Sequence, residues 1–201
     1  SWGVGGIEAE AAALGQPITT LVPQVVGVHL TGELCDGVSA MDAALTFAQM
    51  LRAKGVVGKF VECFGDGVAT LSATQRTCIA NMTPEYGCTC TLFPVDDRTL
   101  EYLLLTGRDK EQVALVEAYA KAQGMWNDGA SRVYSEVLEL NLSDVECSLA
   151  GPSRPHDRFA RSDARSRFNA ICADRNLDMD KRVAVNFMGT ECELTHGAIA
   201  I

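Results

Sequence analysis

Over residues 39–54 the apolar positions recur at helical spacing. Ala44, Leu45, Ala48 and Leu51 make one stripe with a period near 3.6. Ser39 and Asp42 stand at capping-box spacing ahead of it. Arg52 and Lys54 occupy the last turn, where cations suit the helix dipole, and Gly55 stops the helix. Before this helix, Pro23 to Leu30 alternates imperfectly and predicts a strand with one buried face. After it, Val56 to Phe64 reads as a second strand and Gly65-Asp66-Gly67 as a turn. Ser72 with Gln75 caps a further helix that runs to Asn81, and Thr89 to Phe93 is a third strand. Strands separated by helices at this spacing predict crossover connections, an α/β fold and a mostly parallel sheet.

The flanking pattern is weaker. Gly3-Val4-Gly5-Gly6 lacks the full phosphate-loop spacing and reads better as a tight turn before an Ala-rich helix ending at Gly15. Asp96-Asp97 caps a helix through Leu105. Lys110 to Met125 forms the next, with Val113, Leu115, Val116 and Tyr119 on its apolar face. Asn127-Asp128-Gly129 is a turn signal. Leu138, Leu140 and Leu142 alternate with Glu139, Asn141 and Ser143 as a half-exposed strand. Gly151-Pro152-Ser153-Arg154-Pro155 breaks regular structure, so residues 143–155 are expected to form a domain boundary. Residues 156–182 interleave Arg and Lys with Asp, the pattern of a solvated face. His29, between Val28 and Leu30, has no second ligand residue nearby and reads as structural.

Composition narrows the function classes. The 201 residues are 47% hydrophobic and 21% charged, ordinary for a globular protein with a real core. No apolar run approaches the ~20 residues that span a bilayer, and no basic, apolar leader is seen, so no membrane partner is expected. A net charge of −9 argues against nucleic acid as a partner, because that affinity comes from Lys and Arg neutralising phosphates. The eight cysteines are Cys35, Cys63, Cys78, Cys88, Cys90, Cys147, Cys172 and Cys192. Cys88 and Cys90 lack the two-residue gap usual in zinc or redox pairs. Free cysteines acting as small apolar side chains are the favoured reading.

The junction Asn81-Met82-Thr83-Pro84-Glu85-Tyr86-Gly87 places an amide and a carboxylate four residues apart, between a helix and a strand. Two readings of it stand side by side. Locally, Asn81 is a helix C-cap, Pro84 opens the next turn and Glu85 is favoured there by the helix dipole. Alternatively, such a junction points its polar groups into a cleft.

Residues 79–87 are similar to a signature of the aconitase family, in the branch shared by bacterial aconitases and iron regulatory proteins. The resemblance continues in order through residues 2–11, 14–18, 30–32, 54–62, 93–96, 105–108 and 119–124. It closes with Gly151-Pro152, Arg154-Pro155, Asp157-Arg158 and 194–197. It implies a three-layer aconitase-type domain, its mostly parallel sheet flanked by helices, plus the start of a second similar domain. The expected division is 1–23 as the end of a preceding α/β domain, 24–145 as an α/β domain, and 146–201 as linker and beginning of the next. It also implies a hydro-lyase of the tricarboxylic acid cycle, cytoplasmic, that interconverts citrate and isocitrate. In that family one iron of a 4Fe-4S cluster grips the leaving hydroxyl and a carboxylate of the tricarboxylate substrate. Glu85 would be catalytic, hydrogen-bonded to that hydroxyl or water. Asn81 would lie beside it as a catalytic and cofactor-binding residue, touching the cluster or its cysteines. None of the eight cysteines matches a cluster ligand, so this segment alone is expected to hold no metal.

The resemblance further implies that the chain is an internal segment, its partner the remainder of a parent polypeptide. It starts at a Gly-rich turn without a preceding strand. It stops inside Gly197-Ala198-Ile199-Ala200-Ile201, expected to be a buried strand. The isolated segment is expected to be inactive. Ser153 and His156 stand where the family usually carries Lys and Gln, and Cys63, Cys78 and Cys88 also depart from it. These departures leave the substrate open. A 2-methylcitrate dehydratase or a phosphinomethylmalate isomerase would share the motifs, and a non-catalytic scaffold is the reading from another class.

Overall fold

Four strands build the main sheet: β1 (Val25–Thr31), β2 (Phe60–Phe64), β3 (Cys90–Leu92) and β4 (Glu136–Asn141). They lie in the order β3-β2-β1-β4, and every pairing is parallel. The structure is a computed structural model that describes residues 4–129 and 132–199. Trp2 and Gly3, where the first resemblance motif begins, lie outside the described residues, as do Ala200 and Ile201.

The order follows from the crossovers. α2 (Ala40–Lys54) carries the chain from β1 to β2, and α3 (Ala73–Asn81) with α4 (Thr83–Tyr86) carries it from β2 to β3. α5 (Asp97–Leu105) and α6 (Lys110–Ala122) then return it to the far side of β1, where β4 pairs. Register assigns the faces. Val26 pairs with Val61 and Glu136, and Val28 pairs with Cys63 and Leu138. Val26, Val28, Leu30, Val61 and Cys63 are completely buried on that face. Ala43, Ala44, Phe47, Ala48 and Leu51 of α2, Ile79 of α3 and Tyr86 of α4 join them in one cluster. Each large apolar side chain removed from water there contributes about 1.5–3 kcal/mol.

Gly27 and His29 point to the opposite face. There the rings of His29, Phe64 and Tyr134 stack in series at 4.9 Å. A Cβ on Gly27 would stand 2.5 Å from the Tyr134 ring, so only glycine fits beneath it. His29 Nδ1 lies 2.6 Å from Glu139 Oε2, its register partner across β1 and β4.

The helix caps match the sequence expectations. Ser39 with Asp42 and Ser72 with Gln75 both close full capping boxes, and Gly55 ends α2 at φ +78°. Asp96 caps α5 and receives a buried bidentate pair from Arg76 of α3, at 2.7 and 2.6 Å. Arg76 also donates to the Val68 carbonyl at 2.8 Å, so two helices and a 3-10 turn share one guanidinium.

Several expectations need correction. β2 begins at Phe60 because Gly58, at φ +73°, turns the chain first. α6 ends at Ala122, and Leu115 and Tyr119 of its expected buried face are 61% and 60% exposed. Val113 of that face is buried, together with Ala120.

Two compact units divide the chain between Arg158 and Phe159. The first also contains α1 (Gly6–Ala13), with no buried residue, and β5 (Ser148–Ala150); β6 (Arg158–Ala160) spans the division. The second holds α7 (Ala164–Asp174) and an antiparallel hairpin of β7 (Arg182–Phe187) and β8 (Thr190–Thr195). Met188 and Gly189 turn that hairpin with φ +51° and +84°, the backbone of a tight two-residue turn. Of the run expected to be a buried strand, the described residues Ala198 and Ile199 lie outside any strand, and Ile199 is 90% exposed. No helix among the described residues is long and apolar enough to cross a membrane.

Candidate functional site

α3 runs antiparallel to the strands, so its last residue, Asn81, arrives at the amino-terminal edge of the sheet. Met82, at φ −83° and ψ 4°, is the cap that ends α3, one residue later than the local reading places it. Pro84 lies in the first turn of α4, as that reading expects, and Gly87 closes the helix at φ +81°. The junction is stitched to the start of β2. Gly58 N–H donates to the Gly87 carbonyl at 3.3 Å, and Thr89 N–H to the Lys59 carbonyl at 3.0 Å.

Asn81 and Glu85 are both exposed. Neither side chain hydrogen-bonds to a described residue. Both are therefore free to engage a group from outside this chain. Between them the turn alternates. Thr83 and Tyr86 are completely buried, while Pro84 and Glu85 face solvent. The inward hydroxyls converge on Thr91 of β3, itself 1% exposed. Thr91 Oγ1 lies 2.8 Å from Thr83 Oγ1 and 2.7 Å from Tyr86 Oη. Thr83 also reaches the Ala80 carbonyl, which can only accept. The Thr83 hydroxyl is the donor to both Thr91 Oγ1 and the Ala80 carbonyl, which share its one proton, while in the Tyr86–Thr91 pair either hydroxyl can donate. Burial pushes the Tyr86 phenol up to about 12 despite those hydrogen bonds, so it stays protonated across the neutral range.

The same edge carries a cation the sequence reading treated only as a dipole partner. The Arg52 guanidinium stands 3.5 Å from where a Cβ on Gly87 would be, and makes no ion pair among the described residues. Lys54 and Lys59 are both paired with Glu136, which they hold down at about 2. No sequence pattern links Arg52 to Gly87; the helix end and the junction meet only once β2 and β3 pair.

The carboxyl-terminal edge offers a competing cleft, at the switch point between β1 and β4 where open parallel sheets usually bind ligands. It is a space of about 570 Å³ lined by His29, Phe64, Asp66, Asp128 and Arg132 among others. Its charged groups are largely paired internally, Arg132 with Glu62 at 2.9 Å and His29 with Glu139.

An iron–sulfur cluster demands deprotonated thiolates as ligands. Three buried cysteines of this unit do not fit. Burial pushes the thiols of Cys63, Cys88 and Cys90 up, away from the thiolate. Cys88 instead donates to the carbonyls of Lys59 and Cys90, at 3.1 and 3.0 Å. Among the described residues no group of three His, Cys, Asp or Glu side chains could hold a metal ion. An exposed amide and carboxylate can flank such a group without ligating it.

The Aconitase family model (aconitate hydratase) matches residues 1–201. The chain is 52% identical over 204 residues to aconitate hydratase A of Escherichia coli, covering 100% of the chain and 23% of that relative. It is 50% identical to aconitate hydratase A of Legionella pneumophila, covering 100% of the chain and 23% of the relative. To that of Corynebacterium glutamicum it is 59% identical over 169 residues, covering 83% of the chain and 18% of the relative. The chain thus spans about a quarter or less of the length of these relatives. With its parallel sheet, its collinear motifs and this match over the whole length, the chain belongs to the aconitase family.

Proposed function

We propose that the chain is part of a longer hydro-lyase that interconverts citrate and isocitrate through cis-aconitate. Asn81 and Glu85 form part of its active-site wall. The observation that supports this most is their state: both exposed, and unpaired among the described residues, on a turn whose neighbours are locked beneath it. A side chain needed only for the helix dipole gains little from so rigid a base. The relatives all carry the name aconitate hydratase A, which favours citrate and isocitrate over methylcitrate or phosphinomethylmalate.

Dehydration expels a hydroxyl, a poor leaving group until it is protonated. In this reading Glu85 holds that proton on a carboxyl oxygen and delivers it as the C–O bond breaks. In the hydration direction its carboxylate takes a proton from the incoming water. Asn81 supplies an amide NH2 donor group and a carbonyl acceptor to orient its neighbour. Arg52, unpaired on the same edge, adds a favourable field for a carboxylate-bearing substrate. The group that removes the carbon-bound proton belongs to the rest of the parent polypeptide. The 4Fe-4S cluster also belongs to this proposal, held by cysteines beyond these residues, as does a cytoplasmic place in the tricarboxylic acid cycle.

The test is Glu85→Gln in the complete enzyme. General acid–base residues contribute about 10²–10⁴-fold. We expect kcat to fall by at least about 10²-fold, with KM for citrate changed far less, because the loss is in the transition state. Unchanged kcat would return Glu85 to the helix dipole.

A further inference from the structure

The four residues of α4 form a single turn, too short to hold itself in place. Tighter i→i+3 bonds close it, Glu85 N–H to the Met82 carbonyl at 3.0 Å and Gly87 N–H to the Pro84 carbonyl at 3.1 Å. What orients Glu85 is therefore whatever pins the turn to its surroundings. Van der Waals packing of the Tyr86 ring could do so in part, and phenylalanine would supply the same ring. The buried hydroxyl adds something directional. A hydroxyl taken out of water costs free energy unless it bonds, and here three of them close on one another and on a helix-end carbonyl.

We propose that the hydroxyl chain Tyr86–Thr91–Thr83, ending on the Ala80 carbonyl, positions the Glu85 carboxylate for proton transfer, with Tyr86 as the positioning residue. The chain ties both ends of the junction to the one strand beneath it. Ala80 is the residue before Asn81, and Tyr86 is the residue after Glu85. Losing the phenol hydroxyl breaks the bond between Tyr86 and Thr91 and frees the turn to rotate about its remaining ties at Gly87. A displacement of about 1 Å is enough to cost roughly 10²-fold in rate. The inference rests on the assignment of Glu85 above.

The experiment uses the complete enzyme. Tyr86→Phe is expected to lower kcat about tenfold or more while KM for citrate stays within about twofold. Thr91→Val should reproduce the loss, and Thr91→Ser, which keeps the hydroxyl, should restore most of the rate. The double variant Tyr86→Phe/Glu85→Gln should be no slower than Glu85→Gln alone, because Tyr86 acts through that carboxylate. Full kcat in Tyr86→Phe beside a crippled Glu85→Gln overturns the positioning role and spares Glu85. Losses that multiply in the double variant overturn it too, since they show Tyr86 acting independently. An unaffected Glu85→Gln instead defeats the assignment on which the inference rests. Should Tyr86→Phe not fold, the Thr91→Val and Thr91→Ser pair carries the same comparison.

Discussion

Gly27 shows how much a single residue can be constrained by partners far away in sequence. Its neighbours Val26 and Val28 are completely buried on the helix-covered face, and Gly27 itself lies under the Tyr134 and Phe64 rings on the other. Gly27→Ala would press its methyl to 2.5 Å from the Tyr134 ring, closer than such carbons approach, with the Phe64 ring at 2.9 Å on the same side. Overpacking of this kind typically costs about 1–3 kcal/mol. We expect a loss of that size in a urea titration, with an unchanged m-value. No change in midpoint would mean the ring stack swings aside freely. Glu85 lies at the same scale with the opposite character: nothing among the described residues confines its carboxylate, and its constraint comes through Tyr86 and Thr83 beside it.

Among the elements, α3 and α5 depend on one buried pair. Arg76 is 4% and Asp96 8% exposed, and the guanidinium bonds both carboxylate oxygens. Asp96 is also the cap of α5, accepting from Arg98 N–H at 3.1 Å. Removing one partner leaves the other buried and uncompensated, which costs about 3–5 kcal/mol. Arg76→Met keeps much of the side-chain volume and is expected to lose stability in that range. Asp96→Asn should lose less, since it keeps a cap acceptor. The pair Arg76→Met/Asp96→Leu tests the cause. If the penalty comes from the stranded charge, the double variant is more stable than Arg76→Met alone; if it is not, packing of the arginine stem is responsible.

For the whole molecule, stability should be bounded by titration on both sides of neutrality. Lys54 and Lys59 hold Glu136 down at about 2 from an ordinary 4.5. Its contribution is present above 4.5 and is lost as pH falls toward 2. On the alkaline side burial raises Tyr86 from 10.0 to about 12. Its contribution is complete below 10 and is lost as pH climbs to 12, because the unfolded chain ionises first. For a completely buried phenol that span corresponds to about 3 kcal/mol. Cys63 and Cys88 are raised by burial as well and act in the same direction. Circular dichroism against pH should therefore show an alkaline transition that Tyr86→Phe makes shallower without abolishing it. A transition identical in the variant would place the alkaline sensitivity on the cysteines alone.

Much of the secondary structure was legible in the sequence because its causes are local. Ser39 and Asp42, Ser72 and Gln75, and Asp96 ahead of α5 satisfy orphan backbone groups within a few residues of themselves. A pattern four residues long can therefore announce them. The alternation of strands and helices likewise required a parallel sheet, since short connections cannot return a strand to parallel register. The chain's own residues also carried the family resemblance at Asn81 and Glu85. Their surroundings were not legible. That the junction lies at the amino-terminal edge, that Arg52 stands over Gly87, and that the hydroxyls of residues 83, 86 and 91 meet in the interior all depend on β2 pairing with β3. The apolar face of α6 is buried only at Val113 for a related reason: apolar periodicity records which face could be buried, not whether a neighbour arrives to bury it. Sequence alone determined the elements, whose hydrogen bonds close over short spans. Only the tertiary structure decided which polar groups were locked and which left free, because that is settled by contacts between residues tens of positions apart.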